Sequence, residues 1–450
     1  MTYVPHTEPE RAEMLAAIGI DRTDALFDVV PEHVRFPKLA LPPPCAEIEI
    51  EREMQELAGR NFGVDPAASF LGAGTYHHYR PATVDYVLQR GEFYTAYTPY
   101  QPEVSQGVLQ ALFEYQSMMC RLTGLEVSNA SHYDGATALA EAVLLALNAG
   151  QGKRSKIVLS PAVHPQYRAV VKTYLRGTHA ATVAGDEGGA DIDQLKSQLD
   201  DTTAALVIQN PNFFGQFEPV EGLAALVHGT GALLIVVADP IALGRFRPPG
   251  AYGADIVVAD GQCLGIPPSF GGPHLGIITT HMAHVRRLSG HIVGETVDVD
   301  GRRGYVLTLA TREQHIRRAK ATSNICTNST VCALAAAAYL ATMGKAGLRQ
   351  VAELCFHNSH YAAGKIGALD GFSVNPQAPG KPFFKEFVVR MPRPVAEVNR
   401  RLREQFGIIG GYDLGADYPH LQQHILMAVT ELHSRAAIDR LIAALAQIAK

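Results

Sequence analysis

The chain has 450 residues, 47% of them hydrophobic and 18% charged, enough for a large core spread over roughly two or three domains. A formal charge of −5 and a pI near 6.4 exclude the basic surface that nucleic-acid binding requires. The longest apolar run, Val331 to Met343 with Thr342 inside it, is too short to span a bilayer, and the six scattered cysteines lack the CxxC pairs of a zinc or redox site.

The opening stretch MTYVPHTEPERAEML has no apolar signal region, so a cytoplasmic protein with reduced thiols is expected. Residues 1–62 read as an arm of short helices. Thr7 and Glu10 form a capping box with Pro9 in the first turn, Gly19 closes that helix, and LPPPC at 41–45 marks a linker. From about Glu103, helical stretches alternate with short β-rich runs: KIVLS, AALVIQ, ALLIVVAD, DIVVAD and LGIITT. That alternation predicts a mainly parallel sheet covered on both faces, the large α/β domain of residues 63–329. DVDG at 298–301 reads as a hairpin turn, without the spaced oxygens of a calcium loop. The alanine-rich run after CTNSTV ends at Gly344 and leads into a smaller C-terminal α/β domain, 330–450. That domain carries KEFVVRMP, VAEVNRRLREQFG, HILMAVTE and AAIDRLIAALAQIA.

In open parallel sheets, ligands sit at the carboxyl ends of the strands. Ser131, Gly135 and Thr137 in SHYDGATALAEA stand at a helix start, suited to a phosphate or simply to capping. His164 follows one strand, where an imidazole can lie on a flat ring or serve a loop. Asp239 ends another strand and suits a protonated heterocyclic nitrogen or a plain strand end. A phosphate cradle, a stacking ring and a carboxylate are the parts that hold pyridoxal phosphate, which then needs a Schiff-base lysine. Gln262, in the glycine-rich stretch DIVVADGQCLGIPPSFGGPHLG, cannot form an imine, and no lysine lies between Lys196 and Lys320. The frame of a cofactor site is present without its reactive residue. His77 and His78 are adjacent, a spacing that rarely converges on one metal, and no metal site is expected.

GEFYTAYTPYQPEVSQGVLQALFEYQSM (91–118), YDGATALAEA (133–142), GQCLGIPPSFGGPHLG (261–276), RGYVLTLATREQHIRRAKATSNICTN (303–328) and IIGGYDLG (408–415) closely resemble the first subunit of the glycine cleavage system P-protein family. The resemblance runs from the arm to the last helix. It implies a type I pyridoxal-phosphate-dependent transferase fold in each of two related subunits, with two copies of each. The second subunit is then the one that carries the lysine and the pyridoxal phosphate. This chain binds none covalently, with Gln262 at the lysine position. Glycine loses carbon dioxide, and its aminomethyl group passes to the lipoyl arm of the H-protein.

The resemblance makes AYTPYQPEVSQG this chain's candidate contribution to the partner's pocket. Tyr97, Tyr100, Gln101, Glu103, Ser105 and Gln106 crowd hydrogen-bonding groups around two stiffening prolines. The alternative is an interface loop whose tyrosines supply packing, in a subunit that is purely structural or regulatory. A third reading, an independent decarboxylase or aminotransferase, is opposed by the lysine-free span. The basic stretch with Arg312, His315, Arg317, Arg318 and Lys320 can guide an acidic H-protein, seat against the partner, or be a solvated helix face. His291 stands where the family usually shows arginine, which weighs against anion binding there.

Overall fold

The computed structural model describes residues 6–63, 65–94, 97–183, 192–321 and 323–450. It comprises two compact units, Met1–Gly63 and Val64–Lys450. In the first, Thr7 caps helix Glu8–Ile18: its N–H donates to Glu10 Oε2 at 2.7 Å, and Gly19 closes the helix at φ 83°. A second helix, Glu47–Ala58, follows the proline cluster. Leu39, Leu41, Ile48, Met54 and Phe62 of this arm are all exposed.

The second unit is built on a seven-stranded sheet of β1 (Val127–Ser128), β2 (Lys156–Leu159), β3 (Ala181–Val183), β4 (Thr203–Asn210), β5 (Leu233–Ala238), β6 (Ile256–Asp260) and β7 (Gly276–Thr280). Their order is β1-β7-β6-β5-β4-β2-β3. The five β-rich runs of the sequence are β2, β4, β5, β6 and β7. Strands β2 to β6 pair in parallel, whereas β7 runs antiparallel to β6 and β1. No helix intervenes between β6 and β7, and a parallel neighbour needs such a crossover. Alternate residues of each strand feed opposite cores. Ile157, Val207, Ile235 and Val258 pack with helices Gly135–Ala149 and Pro165–Leu175. Val158, Leu206, Val236 and Val257 pack with helices Ile192–Ser197 and Leu223–Gly229. Burial on both faces explains why these strands read as continuous apolar runs.

DVDG closes a hairpin between β8 (Ile292–Val297) and β9 (Arg303–Thr308), where Asp298 Oδ1 accepts from the Asp300 and Arg302 amides at 2.9 and 2.8 Å. The alanine-rich helix does not end at Gly344. It breaks there, at φ 60° and ψ −176°, and resumes to Gly367. Glycine alone adopts that break cheaply. The helix is long and apolar enough to cross a membrane, yet Ala333, Ala336 and Tyr339 are buried beside Leu109 and Leu112 of helix Gln106–Thr123. The last sheet contains β10 (Ser373–Val374), β11 (Glu386–Arg390), β12 (Tyr412–Asp413) and β13 (His424–Ala428), all antiparallel in the order β10-β11-β13-β12. Helices Val395–Phe406 and Arg435–Ala449 cover it. Phe384 joins the core of the first sheet and Phe387 that of the second, so the chain entering β11 ties the two together.

Candidate functional site

A cavity of about 50 Å³ opens where β4, β5 and β6 end, lined among others by Tyr76, His164, Asp239, Asp260, Gln262 and Glu386. The strand-end rule therefore locates the site, and it unites His164, Asp239 and Gln262 as the sequence predicts. It also holds groups that sequence reasoning missed. Lys385, fully buried, extends its ammonium to Asp239 Oδ2 at 2.6 Å. The same nitrogen lies 3.5 Å from the centre of the Tyr76 ring and 3.3 Å from His78 Nε2. Burial lowers the Lys385 pKa, but Asp239 outweighs it, so the amine is held above its ordinary value and stays protonated. A lysine-free span from 197 to 319 thus coexists with a buried lysine paired to Asp239 of the pocket wall. The signal was FFKEF: two opposite charges flanked by phenylalanines can only be buried as partners of something.

Glu386, next in the chain, accepts from the Ala73 amide at 2.7 Å and from the Tyr76 hydroxyl at 2.8 Å. Burial pushes its carboxyl up to about 7, against those donors and Lys385. On the far side of Lys385, His78 Nδ1 meets Glu431 Oε2 at 2.7 Å, and Cys355 Sγ lies 3.3 Å from the same oxygen. His78, Cys355 and Glu431 place ligand-type atoms within 4.8 Å of one another. An ammonium only donates, so His78 Nε2 accepts from Lys385 and Nδ1 carries the proton toward Glu431. With both ring nitrogens engaged and an ammonium alongside, the cluster suits a hydrogen-bonded network rather than a cation. Glu431 is opposed by burial, yet the adjacent His78 and the Tyr79 amide hold it at about 2.

The residues do not fit a bound pyridoxal phosphate. Gln262 is 1% exposed and its amide is fully engaged. Its oxygen accepts from the Tyr76 amide at 2.9 Å, and its nitrogen donates to the carbonyls of Tyr76 and Ile266 at 2.9 and 2.7 Å. His164 donates from Nε2 to the Ala73 carbonyl at 2.8 Å and accepts at Nδ1 from the Gln166 amide, which makes it a neutral ring. Burial depresses its pKa to match. Its face is covered by Tyr167, with ring centres 4.9 Å apart. Of the proposed phosphate ligands, Thr137 is tied to Asp134 in a capping box, and Ser131 Oγ accepts from the Ser329 amide. The Gly135 amide donates to Asp260 Oδ2.

The tyrosine loop forms a separate surface, and none of its six named residues lines this cavity. Tyr97, 74% exposed, meets Thr327 Oγ1 at 2.9 Å through its hydroxyl. The half-exposed Tyr100 ring stands edge-on to His291 and His315, at 5.7 and 5.4 Å. Gln101 and Glu103 are exposed around the turn Pro102–Val104. Ser105 begins helix Gln106–Thr123 without a side-chain cap. Gln106 is tied inward, donating to the carbonyls of Pro102 and Tyr305 and accepting from the Tyr305 amide. Thr95, Ala96 and Thr322, within the quoted segments, lie outside the described residues. The basic stretch packs beside this loop. Its Arg312 is committed to the carbonyls of Leu288 and Gly290, while Arg317, Arg318 and Lys320 are exposed. His291 is buried against Glu313, Nδ1 to Oε2 2.6 Å, so a carboxylate of this chain already occupies the place an anion would take.

A family model for the glycine cleavage system P-protein matches residues 1–445. A relative from Thermomicrobium roseum, "Probable glycine dehydrogenase (decarboxylating) subunit 1", is 54% identical over 448 residues, covering 99% of each chain. One of the same name from Geobacillus kaustophilus is 52% identical, covering 98% of this chain and 97% of its own. Among solved structures, an inhibitor-bound glycine decarboxylase (P-protein) of the glycine cleavage system superposes over 100% of both chains, with TM-score 0.89 and 45% identity. A sphingosine-1-phosphate lyase from Burkholderia pseudomallei matches with TM-score 0.67 and 16% identity over 93% of this chain and 94% of its own, a likeness of fold alone.

Proposed function

This chain belongs to the glycine cleavage system P-protein family, and from that premise we propose that it is the non-cofactor-anchoring first subunit of a glycine decarboxylase. With a second subunit it decarboxylates glycine and transfers the aminomethyl group to the lipoyl arm of an H-protein. The observation that supports the division of labour is the engaged Gln262 side chain: the residue we read at the lysine position has every hydrogen-bonding group of its amide used within the chain. The second subunit holds the pyridoxal phosphate, which supplies the electron sink for decarboxylation when bound there. We read two copies of each subunit in the complex and place it in the cytoplasm, a location that six unpaired thiols suit. We divide the chain into an arm (1–62), a large domain (63–329) and a small domain (330–450). The exposed apolar side chains of the arm suit burial against another chain.

Tyr97 and Tyr100 are this chain's contribution to the shared site. Both are exposed enough to meet a neighbour, and the prolines and the Gln106 bonds to β9 hold their loop in place. Gln101, Glu103 and Ser105 line the same exposed turn. A second reading, a purely structural partner, draws on the inward bonding of Gln106 and on the absence of the loop's named residues from the lining of the strand-end cavity. Glycine–bicarbonate carbon exchange tests the subunit assignment. It should be absent with this chain alone and appear when the second subunit is added. Full exchange by this chain alone rejects the proposal.

A further inference from the structure

A pyridoxal phosphate in this fold is gripped by charge at both ends: the phosphate at a helix N-terminus, the ring cation at a carboxylate. In this chain both grips are closed on the protein's own side chains. At one end Asp260, from the tip of β6, accepts from the Gly135 amide at 3.1 Å, the first residue of helix Gly135–Ala149. Its same oxygen meets His274 Nδ1 at 3.0 Å, and its other oxygen accepts from the Gln262 amide at 2.9 Å. At the other end, Asp239 holds the Lys385 ammonium at 2.6 Å while its second oxygen accepts from the Ile241 and Ala242 amides. Between them Tyr167 is pressed so close to Gly135 that a Cβ there would lie 2.2 Å from its hydroxyl.

We propose that this pocket is self-complemented: Asp260 takes the place of the phosphate and Lys385 that of the ring cation, so the chain needs no cofactor of its own to fold. Each substitute has the sign of the charge it replaces, so the helix terminus and Asp239 remain compensated by the chain's own side chains. An apolar filling would leave the Asp239 carboxylate buried and unpaired, the costly case. The geometry also excludes Lys385 as a displaced Schiff-base residue. Asp239 marks the end where the ring nitrogen would lie, and the aldehyde carbon is para to that nitrogen. A protonated amine bound there is at the wrong end and is not nucleophilic. Because Lys385 enters from the chain leading into β11 while Asp239 follows β5, the plug also joins the two sheets.

The proposal goes beyond the subunit assignment and is tested without activity, on the full-length chain alone. Pyridoxamine 5′-phosphate is the probe, since it has no aldehyde to label surface lysines. Calorimetric titration of the wild-type chain should show no saturable binding into the millimolar range. Stoichiometric binding that Tyr167→Ala enlarges or Lys385→Met abolishes overturns the proposal. The second arm is a urea-unfolding cycle of Lys385→Met, Asp239→Asn and the double variant. Lys385→Met should shift the unfolding equilibrium by on the order of a hundredfold or more, because it strands a buried carboxylate. The double variant should recover at least tenfold of that loss. Additive effects overturn the charge-substitution argument. If Lys385→Met does not fold, Asp239→Asn carries the arm, since it keeps the shape and an acceptor for the ammonium; wild-type stability in that variant overturns the proposal.

Discussion

Placing a lysine in this pocket, Gln262→Lys, should damage this chain rather than activate it. Three hydrogen bonds hold the native amide, one accepted and two donated. An ammonium can still donate to the carbonyls of Tyr76 and Ile266, but it cannot accept from the Tyr76 amide. A buried donor left without a partner costs about 1–3 kcal/mol. The new charge would also enter a cavity whose carboxylate Asp239 is already paired with the buried Lys385 ammonium. Burying one more ion costs on the order of several kcal/mol after relaxation. A loss of at least about 3 kcal/mol follows, roughly a hundredfold in the unfolding equilibrium. Urea unfolding of the full chain followed by circular dichroism reads this directly. Borohydride reduction in the presence of pyridoxal phosphate, with peptide mapping, reads whether any imine forms at 262. A variant as stable as the wild type, carrying a stoichiometric adduct at that position, would refute the reasoning.

Tyr97→Phe and Tyr100→Phe keep the rings, including the edge contacts of Tyr100 with His291 and His315. At least one should lower glycine exchange more than tenfold in a fully assembled complex, since about 1.4 kcal/mol suffices; full exchange by both, with assembly intact by sedimentation, rejects the catalytic assignment. Glu386 is raised to about 7 from an ordinary 4.5, so its contribution is complete below 4.5 and is lost as pH rises through 7. Relative to Glu386→Gln, the wild type should lose about 3 kcal/mol between pH 4.5 and 8; urea midpoints that stay parallel across that range contradict it. Gly215→Ala places a Cβ 2.0 Å from the Glu386 carbonyl oxygen at φ +80°, against backbone that cannot swing aside. That variant should accumulate little folded protein, and a wild-type melting curve from it would show the approach to be slacker than the structure has it.

Much was legible in the sequence because it is written in local pattern. Apolar runs such as ALLIVVAD and DIVVAD announce strands buried on both faces, Thr7 and Glu10 announce a helix start, and DVDG announces a turn. Gln262 excludes an imine at its own position by chemistry alone. What the sequence could not decide is which distant side chains converge. Lys385 lies 146 residues beyond Asp239, and only the anchoring of the chain entering β11 on the loop after β4, where Phe384 donates to the Gly215 carbonyl, brings its ammonium to that carboxylate. The antiparallel direction of β7 has the same origin, since an apolar pentapeptide carries no record of which way its neighbour runs. Charge burial was decided last of all. Asp260, Lys385 and Glu386 resemble surface residues by type, and are tolerated in and behind the pocket wall because tertiary structure supplies each with a partner in place of water.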